Sequence, residues 1–397
     1  MTSQLKPPII EKLTPGNWAK KNLFSTWYNT LLTIISLWVI FAVSKGFILW
    51  VLTQAKWKVI EANLPLFFVG RYPRDEYWRL WLCLDIITLL SALTWTTFYP
   101  KTPLVTRSFL LRSAIGIAAI VIFPIDLISR LWLLSAMLIF TGGNWLGKMR
   151  FFRGGKLISF LWVLSFPIIL WLIQGGLGLK EVSTNDWGGL MLTLFAASVS
   201  IFLSFPLGVL LALGRQSSLP IVRWFCLLYI EIIRGLPLIG ILFLGQVMLQ
   251  FFLPPGTPKL DRVIRAIASL SLFSAAYLAE NVRGGLQSIP RGQIEAARSL
   301  GLNPPLVIIL IILPQALRAV IPAIVGQFIG LFKDTSLLAL FGLLELVGIS
   351  KTILANPSYI GRYAEIYVFI GVIYWIFCYG MSLASRHLEK QLDIRQK

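Results

Sequence analysis

An all-α bundle of membrane-spanning helices is the fold predicted for this chain, and three observations predict it. Hydrophobic residues make up 57% of the 397 and charged residues only 13%, with a mean hydropathy of +0.77. That is more apolar surface than one soluble core needs. Apolar runs of about 20 residues, the length a helix needs to cross the hydrocarbon core, recur along the chain. The charges that remain lie in short basic clusters between those runs, as topology signals do.

Ten such runs are expected, five in each half. The first covers roughly residues 29–52 and follows Lys20 and Lys21. It is too long for a signal-peptide core and has no convincing cleavage site, so it should remain as a helix. Runs at 80–99, 108–125, 127–145 and 157–178 follow, the middle two forming a tight hairpin around Pro124 and Asp126. The second half holds runs at 188–213, 222–252, 262–283, 305–330 and 364–385. Gly175, Gly176 and Gly178, followed by the polar stretch Lys180 to Asp186, mark a boundary. Residues 1–180 then form an N-terminal transmembrane extension and 181–397 the working module.

A start on the cytoplasmic side places Lys101 and Arg107, then Lys148, Arg150, Arg153 and Lys156, on that same side. Arg215 and Arg223, then Arg283, Arg291 and Arg298, and finally Arg386, Lys390, Arg395 and Lys397 follow the same order, leaving both termini cytoplasmic. The exception is 56–79, basic yet outside. Its alternating apolar and charged residues, Trp57, Leu64, Phe67 and Phe68 among Arg71, Arg74 and Asp75, predict an amphipathic surface segment.

The net charge of +19 would suit nucleic acid only if it were gathered on an arm or a soluble face, and it is not. Cys83, Cys226 and Cys378 are far apart in apolar runs, which argues against a disulfide framework and a metal cluster. The single histidine, His387, lies in the basic tail. Metal chemistry and histidine-based catalysis are not expected, and no cofactor is.

The most informative connection is residues 288–305, between the eighth and ninth runs. Pro290 can open a short helix, Glu295 falls in its early turns, and Gly301 supplies a left-handed stop. Pro304 and Pro305 prevent that helix from continuing. Ala296 and Ala297 remove side-chain bulk, so a partner surface could approach closely.

The run Glu295-Ala296-Ala297, then Gly301, then Leu313-Pro314, resembles the signature loop of ABC importer permeases, the element that docks into a cleft on a cytoplasmic ATPase. Tyr229 to Leu238 (YIEIIRGLPL), Ala276 to Gly284 (AYLAENVRG) with Gly292-Gln293, and Lys333 to Leu337 (KDTSL) are similar to motifs of the polar amino acid permeases. These cover roughly 185–390. The stretch 62–74 (ANLPLFFVGRYPR) resembles the longer M-type permease of general L-amino acid importers. The resemblance implies a type I ABC importer permease core of five helices, with about five extra N-terminal helices, in the bacterial inner membrane. It also implies that ATP and Mg belong to a separate ATPase present in two copies. A second related permease would complete a heterodimer, and a periplasmic binding protein would deliver the amino acid. No Gly-rich phosphate loop with Lys and Ser or Thr occurs in this chain, as such a division of labour requires.

Charges at membrane depth are costly and need a reason. Glu231 and Arg234 are three residues apart and can pair; Arg234 also precedes Gly235 and Pro237, where the helix should bend. Glu280 and Arg283 repeat the spacing and are expected to brace the coupling loop. Lys333, Asp334, Thr335 and Ser336 interrupt an apolar stretch; a helix broken there would offer free N–H groups to a substrate carboxylate. Gln246 and Gln327 are further candidates for the substrate path, or are inter-helical glue. An ion-driven secondary transporter using Asp334, Glu231 or Glu280 is the alternative reading, and it leaves the Glu-Ala-Ala run unexplained. An intramembrane hydrolase finds no catalytic constellation here.

Overall fold

The computed structural model describes residues 14–98, 116–117, 126–149, 155–254 and 256–391. The chain divides into two compact units, residues 1–58 and 59–397.

In the first unit, α1 (Pro15–Asn22) is opened by Thr14, whose hydroxyl accepts from Asn17 N–H at 3.4 Å. Helix α2 (Trp27–Leu49) is capped in the same way by Thr26 and runs on through Trp50–Gln54, where the i−4 ladder loosens to i−5. No residue of α2 is buried. A helix apolar all round and exposed all round is what a lipid solvent selects.

The second unit begins with α3 (Lys58–Val69), which buries Val59, Ile60, Asn63 and Phe67. The expected amphipathic segment thus has protein, not an open membrane surface, over its apolar side: Phe67 is fully buried, its ring 4.9 Å from that of Phe369. Two glycines make this packing possible. Gly70, at φ +65°, passes so close to Gly188 that a Cβ would lie 2.4 Å from the Gly188 Cα, so no other residue fits there.

Helix α4 (Tyr77–Phe98) packs against α5 (Leu127–Leu146) and α6 (Lys156–Gln174). Polar ties hold these helices to one another and to the loop that follows. Trp162 Nε1 donates to Thr94 Oγ1 at 2.9 Å, Tyr72 hydroxyl to Ile173 O at 2.9 Å, and the buried Arg79 to Lys180 O at 2.7 Å while pairing with Glu76. Asp126 caps α5 by accepting from Ser129 N–H and hydroxyl, which holds its carboxyl below the usual range. Of the expected run 108–125 only residues 116–117 are described, and the rest lies outside the described residues.

Five spans form the C-terminal module. They are α7 (Gly189–Arg215), α8 (Pro220–Gly235) with α9 (Leu238–Met248), α10 (Arg262–Gln287), α12 (Pro304–Phe341) and α14 (Tyr363–Gln391). Between them lie α11 (Arg291–Ser299) and the short α13 (Leu346–Leu354). Among the described residues eight helices are long and apolar enough to cross a membrane, or nine if α8 and α9 form one span.

Helix α10 is the hub, packed on α7, α8 and α12. It presents Ser269, Ser271, Ser274, Ala275, Ala276 and Ala279, and α7 answers with Ala196, Ala197, Ser200, Ser204 and Gly208. Small residues let the two backbones approach, the usual source of packing energy where lipid removes the hydrophobic drive.

Two expectations about helix breaks meet the structure differently. The chain bends by 106° between α8 and α9, at Gly235-Leu236-Pro237 as expected, because Pro237 brings no N–H to the ladder. At 333–336 the helix does not break. It tightens to a 3-10 turn over Thr335–Phe341 and ends at Gly342 in the left-handed region. Thr335 donates back to Phe332 O at 2.7 Å, and Asp334 makes no capping bond, so neither acts as the N-cap that a break would need.

Candidate functional site

Helix α11 is built by its two ends. Pro290 supplies the extended entry, and at the exit Leu300 N–H reaches Ala296 O, Gly301 N–H reaches Arg298 O at 2.9 Å and Leu302 N–H reaches Ala297 O at 3.2 Å. The last two bonds are the Schellman pair, and they require the left-handed residue that Gly301 provides at φ +81°. Asn303 then caps the next helix, accepting from Leu306 N–H at 3.1 Å. Glu295 is exposed in the second turn of α11, beyond the first turn where the helix dipole acts most strongly.

The two alanines part company. Ala296 is exposed, whereas Ala297 is buried and turned into its own chain. Leu300 stands out at 83% exposure, an apolar side chain at the tip of a polar helix. Leu313 and Pro314 follow a π-type stretch, Val307–Ile312, where the missing Pro314 N–H loosens the ladder and Gln315 Nε2 donates to Ile311 O at 2.7 Å.

One turn into the bundle from α11, three arginines and two glutamates form a single cluster. Glu280 of α10 binds Arg283 from one oxygen and, from the other, Arg215 of α7 at 3.1 Å and Arg234 of α8 at 3.7 Å. Glu231 pairs with Arg215 at 3.3 Å rather than with Arg234. Arg283 also reaches Gln287 at 2.8 Å, and the Arg234 guanidinium lies 5.6 Å from the Tyr277 ring centre. The expected Glu231–Arg234 pair gives way because each finds a partner on another helix. The cluster ties α7, α8 and α10 together, and Arg215 is a member that helical spacing could not supply.

The remaining path candidates lie elsewhere. Gln246 is buried, donates to Arg262 O at 2.8 Å and accepts from Arg265 at the opposite end of α10, about 27 Å from Glu280 by helical rise. Gln327 is half-buried on α12. Lys333 is exposed, Asp334 and Ser336 are half-buried and Thr335 is buried, all beside the Phe332 ring that packs on Tyr374 and Phe377 of α14.

Glu345 was not singled out from the sequence. It has no exposed surface, caps α13 through Val347 and Gly348 N–H at 2.9 Å each, and meets the Thr193 and Tyr374 hydroxyls. A lone acid immediately before the short helix Leu346–Leu354 was the signal available. Among the described residues no group of histidine, cysteine, aspartate and glutamate could hold a metal ion.

Comparison with known proteins gives the same picture. Residues 204–394 match the family described as binding-protein-dependent transport system inner membrane component. The chain is 38% identical over 394 residues to the inner membrane amino-acid ABC transporter permease protein YhdY of Escherichia coli, covering 95% of this chain and 92% of the relative. It is 34% identical over 442 residues to the glutamate/glutamine/aspartate/asparagine transport system permease protein BztC of Rhodobacter capsulatus, covering 98% and 96%. Among solved structures it matches an amino acid ABC transporter crystallised with histidines at 30% identity and a TM-score of 0.46, over 51% of this chain and 92% of the other.

Proposed function

The chain belongs to the polar amino acid branch of the binding-protein-dependent inner-membrane permeases, and from that premise we propose how it works: α11 is the plug through which a separate ATPase drives the helices. The protein is the multi-pass inner-membrane permease subunit of an amino acid ABC importer. It is not itself catalytic and holds no cofactor, ATP being hydrolysed by a partner, and a binding protein delivers the solute.

The observation that carries the coupling role is the shape of α11. Nine residues are held rigid by a Schellman exit, with Glu295, Ala296 and Leu300 offered outward while Ala297 anchors the helix to its own chain. Leu313 and Pro314 sit where the following helix is loosened, so a push on α11 can be absorbed there. Two ATPase copies and a second, related permease in a heterodimer complete the assembly. The coupling face and both termini are cytoplasmic, and the division near residue 180 separates the extension from the module that moves.

ATP binding closes the ATPases, α11 follows, and the ion cluster of Glu231, Arg234, Glu280 and Arg283 transmits the movement to the bend between α8 and α9. Glu280 and Arg283 brace the coupling loop. Gln246, Gln327, Lys333, Asp334 and Ser336 are retained as residues of the substrate path, and Thr335 as a support whose hydroxyl is already engaged by Phe332 O.

The test uses Glu295→Ala and Gly301→Val in the assembled complex. Glu295→Ala should keep the melting temperature of the permease but lose stoichiometric ATPase on purification and at least tenfold of ATP-driven amino acid uptake. Gly301→Val must place a β-branched residue at φ +81°, costing on the order of 1–3 kcal/mol locally, and should distort α11 with the same result. Normal docking and normal uptake in both variants would contradict the coupling role.

A further inference from the structure

At the end of α10 farthest from α11, about 39 Å away by helical rise, the second unit holds a cleft of about 270 Å³. Arg71, from the turn after α3, and Arg262, the first residue of α10, line it together with Asn185 and Trp187. Val263 and Leu343 give it an apolar floor. Gly342, in the left-handed region, leaves the Arg262 guanidinium uncovered: even a Cβ there would stand 3.8 Å from Nη1.

The charged side chains that line this cleft are both cationic. Arg71 is exposed and has no carboxylate partner among the described residues, and Arg262 reaches only the neutral Asn185 Oδ1. Trp187 is 2% exposed and its indole N–H is buried with no hydrogen-bond partner, which in a native interior calls for an explanation. The carboxylate next to Arg262 in the chain is already committed. Asp261 accepts from Val263 and Ile264 N–H with one oxygen and from the Thr184 hydroxyl with the other. Two permanent cations, with no carboxylate among the lining residues, favour an anion over an ammonium.

We propose that this cleft is a carboxylate-binding site at the outer mouth of the permease. Its volume of about 270 Å³ admits a molecule the size of a single amino acid, and a guanidinium takes a planar carboxylate with two parallel hydrogen bonds. A zwitterionic amino acid would enter acid first, with its ammonium left in the open mouth. The carboxylate comes either from a free acidic solute or from an aspartate or glutamate on the protein that delivers it. That the cleft faces outward rests on the proposed orientation; that it binds a carboxylate does not.

The test has two arms. In the first, the purified complex in phosphatidylcholine nanodiscs is titrated with N-acetyl-L-glutamate, N-acetyl-L-glutamine and sulfate, followed by ligand-observed NMR. Arg71→Gln and Arg262→Gln are compared with Arg71→Lys and Arg262→Lys. In the second, proteoliposome uptake is measured against the concentration of loaded binding protein. A free carboxylate is supported if N-acetyl-L-glutamate binds, N-acetyl-L-glutamine does not, and either glutamine variant weakens binding at least tenfold while lysine retains most of it. A protein-borne carboxylate is supported if free probes do not bind but the half-saturating binding protein concentration rises at least fivefold in the glutamine variants, with the saturating rate unchanged and the salt dependence reduced. The proposal is overturned if neither arm responds, or if sulfate competes as well as the carboxylate. Should the wild type show no uptake at all, the importer reading fails and the first arm alone decides.

Discussion

Glu345 lies between the spans Pro304–Phe341 and Tyr363–Lys390 with no exposed surface. Burial pushes its carboxyl up from 4.5 to about 7, against the opposing pull of the Val347 and Gly348 N–H groups and the Tyr374 and Thr193 hydroxyls. Its folded value is above its unfolded one, so the proton is held more tightly in the native state. The contribution to stability is complete below the unfolded value and is lost as pH rises through about 7, an amount of about 3 kcal/mol at most. Thermal melting in detergent should therefore fall between pH 5 and pH 8, and Glu345→Gln, which keeps an acceptor oxygen but cannot titrate, should flatten the slope. An unchanged slope in the glutamine variant would place the pH dependence elsewhere. Residues of this kind were the least legible in the sequence. Glu280 and Arg283 were readable because their partner is one helical turn away. Glu345 depends on Thr193 and Tyr374, 152 and 29 residues distant, and Arg215 on Glu280, 65 residues distant; neither pairing leaves a local pattern. The same distance effect misassigned Glu231 and Arg234, whose short spacing was outcompeted by neighbours across the bundle.

At the scale of elements, the small-residue face of α10 decides how closely three helices approach. A Cβ on Gly208 of α7 would lie 2.4 Å from Leu278 Cδ2 and 3.0 Å from Ala275 O. A Cβ on Gly285 would lie 2.5 Å from Ala316 O of α12. The second contact is with backbone, which cannot rotate away. Gly285→Ala should therefore cost on the order of 1–3 kcal/mol, seen as a melting temperature several degrees lower, and Gly208→Ala a comparable amount, because Leu278 Cβ at 2.9 Å and Ala275 O stay in place even when the leucine methyl moves. Equal and negligible losses in both would mean that the helices pack less tightly than they stand. Element existence was readable because apolar length alone selects it, and the bend at Gly235 and Pro237 because proline acts locally. The break expected at 333–336 was not found. Asp, Thr and Ser signal a cap only if their side chains turn forward to the next N–H groups, and Thr335 turns back into its own helix instead.

At the scale of the molecule, α2 presents a puzzle that its lack of buried residues sharpens. A helix that contributes nothing to a core still has to be explained. In the proposed order of crossings, the connection after it carries Lys56, Lys58, Arg71 and Arg74 to the outer face, against the bias that keeps basic loops inside. Arg71 and Arg79 are used there, one lining the cleft beside Arg262 and the other holding Lys180 O. In that proposed order, with Lys20 and Lys21 behind it on the inner side, the preceding apolar helix is what supplies the insertion force to move the basic stretch across. The second unit meanwhile keeps its own core, in which Tyr72, Trp187, Leu192, Leu270 and Leu338 belong to one buried cluster. Deleting residues 1–57 should then leave the melting temperature of purified protein within about 2 °C of the full chain, since α2 holds no buried residue. Yield in the membrane should fall severalfold, and an unrelated signal-anchor helix of the same orientation should restore it. A lowered melting temperature would show that α2 stabilises the fold, and an undiminished yield would show that the basic connection crosses without it.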